Sequence, residues 1–203
     1  MTTLERASEQ DKLAHAYLFA GSRGTGKTSG ARILAKIIMI HGIEDETLQK
    51  QIINGVEDLN IVDLLEIDSA SNRGIDDVRD LIEKIQFSPV VASAKVYIID
   101  EVHMLTKEAF NALLKTLEEP PSHVKFIFAT TGVDKLPETV QSRCQRFDFK
   151  NISLENIRKQ LSLICKSEKI VANEDVFGFI AKYARGGLRD ALSVLDQLIS
   201  FAA

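Results

Sequence analysis

The chain has 203 residues, 45% hydrophobic and 27% charged, which suits one large soluble domain, or one and a half, with a substantial core. A net charge of −4 gives no global signature of a nucleic-acid binder, so any DNA contact has to be a local basic patch. Two cysteines, Cys144 and Cys165, share no metal-like spacing and point weakly to a reducing compartment, while the four histidines are scattered, against a clustered metal site.

The N-terminus, Met1 to Arg6, lacks the apolar stretch of a signal peptide, and residues 3–14 read as a polar helix. Ala16 to Ala20 is a short strand-forming run. It leads into Gly21, Ser22, Arg23, Gly24, Thr25, Gly26, Lys27 and Thr28, a fit to G-x-x-x-x-G-K-[ST]. Beyond it Ile33, Leu34, Ile37 and Ile38 recur at helical spacing to about Ile40. The longest apolar run, Ile33 to Ile40, contains Lys36 and is too short to span a bilayer, so the expectation is a soluble, cytoplasmic protein without membrane contact. Within residues 41–60, Leu48, Ile52 and Ile53 predict a short amphipathic helix ending near Asn54-Gly55. A second strand follows from Ile61 to Ile67, then a turn-rich loop from Asp68 to Gly74. Val78, Leu81, Ile82 and Ile85 share one face of the next helix, which stops before Pro89.

Lys95 to Asp100 is a nearly continuous apolar run of the kind buried on both faces. Thr106 is a good N-cap for a helix with a Phe110, Leu113, Leu114, Leu117 stripe, ended by Pro120-Pro121. Val124 to Thr130 and Arg146 to Phe149 read as the fourth and fifth strands. After Lys150 only helices remain, at about 153–168, 174–185 and 187–201, with Gly186-Gly187 separating the last two. Strands alternating with helices argue a parallel α/β sheet over residues 1–150, followed over 151–203 by the start of a small helical domain.

Three stretches carry chemistry. The glycines of the loop let successive N–H groups turn inward around an anion, and the following helix aims its positive end at the same place. Lys27 reaches the terminal phosphates there and the Thr28 hydroxyl ligates Mg²⁺. The strand ending in Asp100 and Glu101 delivers two carboxylates to the edge where open α/β sheets bind ligands. Asp100 takes the Mg²⁺-linked role and Glu101 polarises the attacking water. Thr130 and Thr131 end the fourth strand at the same edge, as groups that orient the water or as plain β-branched strand ends. Arg143 and Arg189 are candidate phosphate-sensing cations or, each taken alone, solvated arginines.

Taken together, these segments resemble the AAA+ clamp-loader ATPases, gamma/tau type, of bacterial DNA polymerase III. The stretches that carry the resemblance are His15 to Gly21 running into the loop, Glu66 to Asn72, Asp100 to Leu105 and Asn111 to Pro121. With them go Ala129-Thr130-Thr131, Leu136-Pro137, Ser142-Arg143-Cys144 and Leu188 to Leu192. The resemblance implies a P-loop AAA+ fold with a five-stranded parallel sheet and a helical lid. It implies an ATPase that works in a hetero-oligomeric ring with other clamp-loader subunits, loading a sliding clamp on primed DNA during replication. It makes Thr131 the first sensor, Arg189 the second, and Arg143 a finger acting in trans on a neighbour's ATP. Asn72, Arg73 and Arg79 match its DNA-facing positions, although Asp76, Asp77 and Asp80 dilute the positive charge. The family's four-cysteine zinc module has no counterpart, since residues 39–62 contain no cysteine and zinc is not expected. An upstream segment that holds adenine and a C-terminal collar, both family features, are expected to be missing from these 203 residues.

Two alternatives stand beside this reading. A structural clamp-loader subunit that does not hydrolyse ATP typically loses the loop lysine or the strand-end glutamate, and here Lys27, Thr28 and Glu101 are all present. Another AAA+ machine, such as a branch-migration helicase or replication initiator, is less favoured by the Ser142-Arg143-Cys144 and Leu117 to Pro121 stretches.

Overall fold

Short apolar runs separated by amphipathic segments bury best as strands stacked under helices. The computed structural model describes residues 13–72 and 74–202. Among them, β1 (Ala16–Gly21), β2 (Leu64–Asp68), β3 (Lys95–Asp100), β4 (Val124–Thr130) and β5 (Gln145–Phe149) form one sheet in the order β2-β3-β4-β1-β5. β2 pairs with β3, β3 with β4 and β4 with β1, all parallel, so their C-terminal ends share one edge. The register sets Asp68 beside Asp100 and Ala20 beside Thr130. The α/β sheet expected from the alternation of strands and helices is observed, with the five strands that the resemblance implied.

Helices follow the strands: α1 (Lys27–Ile40), α2 (Glu46–Glu57), α3 (Ile75–Ile85), α4 (Lys107–Glu118) and the single turn α5 (Glu138–Gln141). Val78, Leu81 and Ile85 of α3 and Phe110, Leu113 and Leu117 of α4 share a buried cluster with Leu18, Tyr97, Ile99, Phe126 and Phe128 of the sheet. Thr106 caps α4 as its sequence predicts, its hydroxyl accepting from the Ala109 N–H at 3.2 Å.

The contacts divide into two compact units. One contains the described residues through Ala20 together with Thr28–Phe147, and the other contains Gly21–Lys27 together with the chain from Asp148 onward. In the second, α6 (Leu154–Ser167), α7 (Glu174–Tyr183) and α8 (Leu188–Ala202) build their own core from Ile157, Leu161, Phe177, Ile180, Ala191 and Leu195. Ser153 and Asn173 cap α6 and α7 through their side-chain oxygens. These are the three helices expected after Lys150.

Three expectations need comment. The polar helix at residues 3–14 falls outside the described residues except for Leu13 and Ala14, which are not helical. α2 does not stop at Asn54-Gly55 but continues to Glu57, burying Ile52 and Val56. A Cβ on Gly55 would stand 3.0 Å from Ile61 Cβ, so the glycine serves close packing and not termination. β2 begins at Leu64 and not Ile61, because Val62 and Asp63 form a turn that points the Asp63 carboxylate at the main chain of residues 90–92.

Candidate nucleotide site

Gly24 and Gly26 have φ of +74° and +94°, backbone conformations that residues with a Cβ rarely adopt. They let the chain double back on itself between β1 and α1. Thr25 donates to the Ser22 carbonyl at 2.8 Å, and Lys27 Nζ donates to the carbonyls of Gly21 and Ser22, each at 2.9 Å. The lysine is only 6% exposed, so its ammonium is held over its own loop, at the start of a helix whose dipole adds positive potential. A phosphate group at this place would find a localised cation and the orphan N–H groups of the helix start.

The same loop meets the start of α8 within its unit. The Leu188 N–H donates to the Gly24 carbonyl at 2.9 Å. A Cβ on Gly24 would stand 3.1 Å from Gly187 Cα, and one on Gly187 would stand 3.0 Å from the Arg23 carbonyl oxygen. Arg189 follows on the first turn of α8, exposed.

At the sheet edge in the other unit, Thr28 Oγ1 donates to Asp100 Oδ2 at 2.6 Å, while Asp100 Oδ1 accepts the Glu101 N–H at 2.9 Å. A hydroxyl and a carboxylate at this separation offer hard oxygens of the kind Mg²⁺ prefers, few in number because that ion keeps most of its waters. Glu101 has φ of +46°, an unusual conformation for a residue with a side chain. Its Oε2 accepts from the Thr131 N–H at 3.0 Å and from the Thr131 hydroxyl at 2.9 Å. Glu101 and Thr131, which the sequence placed only at the same sheet edge, are therefore in direct contact. Arg32 grips Glu66 with two parallel bonds of 2.8 Å, tying α1 to β2. Those bonds raise the guanidinium pKa further, and the nearby Asp100 charge adds to the effect.

The remaining candidates lie elsewhere. Arg143 donates from Nη1 to the Thr139 carbonyl and from Nη2 to Glu118 Oε1, both at 2.8 Å. Asn72 turns its side-chain amide onto the Asp68 carbonyl at 3.2 Å. Arg79 pairs with Asp76 at 3.2 Å on an exposed turn, and Arg73 lies outside the described residues. Arg32, Glu66, His103 and Glu118 are contributors that the sequence reading did not assign roles. Only position could have signalled His103 and Glu118, since both lie inside stretches already quoted for other residues.

Both parts of the chain match family models of bacterial DNA polymerase III. Residues 1–153 match the family model described as DNA polymerase III, delta subunit, and residues 156–203 match that of the DNA polymerase III clamp loader subunit, ATPase lid domain. The chain is 52% identical over 202 residues to the DNA polymerase III subunit tau of Bacillus subtilis, covering 98% of this chain and 36% of that protein. With the tau subunit of Escherichia coli the identity is 47% over 207 residues, covering 98% and 31%. The chain thus spans about a third of the length of these relatives. Among solved structures, a gamma subunit-related protein from Thermotoga maritima is 25% identical with a TM-score of 0.59, over 78% of this chain and 49% of that one. The RuvB Holliday junction branch migration motor of the same organism shares the fold at a TM-score of 0.69 and 20% identity, over 100% and 61%. With both parts matched in sequence order, the chain belongs to the AAA+ clamp-loader family of bacterial DNA polymerase III.

Proposed function

We propose that the chain binds and hydrolyses Mg²⁺-ATP as the motor part of a gamma/tau-type clamp-loader subunit, which with its partner subunits loads a sliding clamp on primed DNA in the cytoplasm. The observation that carries this reading is the 2.6 Å approach of Thr28 Oγ1 to Asp100 Oδ2, which places the last residue of the phosphate motif on the strand-end carboxylate. Residues 1–150 act as the ATPase domain and 151–203 as the beginning of its lid.

Gly21 to Lys27 wrap the phosphates with main-chain N–H groups, and the Lys27 ammonium moves its bonds from the loop carbonyls to the β- and γ-phosphate oxygens. Thr28 and Asp100 would hold Mg²⁺, which when bound would neutralise charge building on the phosphate oxygens. Glu101 takes the proton of the attacking water, and Thr131 positions both. Arg189 contacts the nucleotide from the lid, and Arg143 serves the neighbouring subunit's site. Asn72, Arg73 and Arg79 face the DNA. Zinc has no part in this proposal. Among the described residues no helix is long and apolar enough to cross a membrane.

ATP turnover of the full-length protein, assembled with its partner subunits, tests the reading. A rise on adding both clamp and primed DNA supports it. Turnover stimulated equally by four-way junctions would favour a branch-migration motor instead, and ATP binding with no turnover would favour a structural subunit.

A further inference from the structure

We infer that Arg32 is a positioning residue for the Mg²⁺ site: clasped by Glu66, it pins α1 to β2 one turn beyond Thr28 and so keeps the Thr28 hydroxyl on Asp100. The inference rests on the reading of Thr28 and Asp100 as the groups that hold Mg²⁺.

Thr28 and Arg32 stand four residues apart on α1, on one face of the helix. Strand side chains alternate between faces, so Glu66 and Asp68 of β2 share a face with Ile98 and Asp100, their partners on β3. Two links therefore join α1 to the same face of the sheet. Thr28 Oγ1 reaches Asp100 Oδ2 at 2.6 Å, and Arg32 reaches Glu66. Their spacings agree: four helical residues rise about 6 Å and two strand residues about 6.6 Å. A straight α1 running down the sheet from its edge can make both links at once.

The Arg32 link is the stiffer of the two. Nε donates to Glu66 Oε2 and Nη2 to Oε1, both at 2.8 Å, a planar fork that fixes direction as well as distance. The Thr28 link is one hydroxyl bond from the first turn of α1. Charge is balanced in the same place. The Glu66 bonds raise the guanidinium pKa most and the Asp100 charge adds to the effect, so Arg32 lies within the field of that carboxylate. An unpaired cation there would oppose a divalent ion, and the Glu66 carboxylate cancels it.

The test uses the full-length protein and compares wild type, Arg32→Lys, Arg32→Gln, Glu66→Gln and Thr28→Ala. Affinity for a fluorescent, non-hydrolysable ATP analogue is measured over a series of Mg²⁺ concentrations and in EDTA, with the unfolding midpoint beside it. All three Arg32 and Glu66 variants are expected to raise the Mg²⁺ concentration for half-maximal effect about tenfold. That is the low end of the roughly 10–100-fold that partners standing behind a metal ligand contribute. Affinity in EDTA should stay within about twofold of wild type, since Lys27 and the loop are untouched. A role through charge alone predicts otherwise: Arg32→Lys would be unchanged and Arg32→Gln would need less Mg²⁺. Either result would overturn the inference, as would a loss of affinity in EDTA equal to the loss with Mg²⁺, which marks a general loosening of the fold. A wild-type Mg²⁺ requirement in Thr28→Ala would instead remove the reading of Thr28 as a ligand.

Discussion

Arg143 and Glu118 hold each other, Nη2 to Oε1 at 2.8 Å, so the Ser142-Arg143-Cys144 stretch and the Leu117 to Pro121 stretch are joined in space. Both side chains remain partly in solvent, 33% and 52% exposed, and an exposed pair of this kind adds only about 0–1 kcal/mol. The bond orients the guanidinium at little energetic cost to its release. A planar, permanently charged fork so presented suits the spread of charge over a transferring phosphoryl group.

Arg143→Ala is accordingly expected to leave ATP binding by its own subunit unchanged. In the assembly, turnover at the neighbouring site should fall on the order of 10³-fold, as for other fingers supplied in trans. Mixing subunits that carry only Glu101→Gln with subunits that carry only Arg143→Ala should restore partial activity. Absence of rescue, with assembly verified, would place Arg143 in cis or in a structural role.

Lys27 and Glu101 should separate binding from chemistry. Lys27→Ala removes the buried ammonium of the loop and should abolish most ATP affinity, because the exposed Arg23 lies outside the buried pocket of the loop carbonyls that holds Lys27. Glu101→Gln keeps shape and hydrogen-bonding to Thr131 but loses the base, so binding should persist while hydrolysis slows by about 10²-fold or more. Equal ATP affinity in wild type and Lys27→Ala, measured by calorimetry, would sink the phosphate-loop assignment.

Asp63 should matter for stability far more than its place in a turn suggests. It is 2% exposed, and its carboxylate accepts the N–H groups of Val90, Val91 and Ala92 at 2.7–3.0 Å. Asp63→Ala strands three donors, which at roughly 1–3 kcal/mol for each donor left without a partner should cost about 3 kcal/mol or more in urea unfolding. Asp63→Asn keeps one acceptor and should fall between. A loss below about 0.5 kcal/mol in Asp63→Ala would show that water replaces the carboxylate.

Burial pushes the Cys144 thiol up to about 12. At pH 8 its thiolate fraction is then about one in 10⁴, against about a tenth for a thiol titrating near 9, and only the thiolate reacts. Folded protein should therefore resist iodoacetamide at pH 8 and gain reactivity steadily as pH rises toward 12. Above pH 9 the unfolded chain releases this proton and the folded one keeps it. The contribution is present in full below pH 9 and is lost as pH rises. Rapid alkylation of Cys144 at pH 8 without unfolding would contradict the burial.

Periodicity and punctuation made most of the fold legible. The β3 and β4 limits agree with the sequence reading to the residue, because apolar runs bounded by a carboxylate or a proline pair leave little freedom in register. The candidate site was read from motif spacing and from carboxylates ending an apolar strand, and the structure brings two of its members together, Thr28 Oγ1 to Asp100 Oδ2 at 2.6 Å. What escaped were long-range polar pairs. Nothing in the spacing of Arg32 and Glu66, or of Asp63 and residues 90–92, announces that they meet. Gly55 was misread for a related reason: a glycine that ends a helix and one that admits a neighbour look alike until Ile61 is in view.

The first amides of a helix have no partner within it, and α8 takes one from far away in the chain: Gly24 receives the Leu188 N–H. The loop that would grip a nucleotide is thus also the cap of the helix bearing Arg189. A rearrangement of its glycines on binding would uncap that helix or cap it more tightly, so loop occupancy is written into the fraying of α8. Hydrogen exchange at Leu188 reads this directly and should change when Mg²⁺-ATP is added. Identical exchange with and without nucleotide, at saturating binding, would mean that the cap is indifferent to what the loop holds.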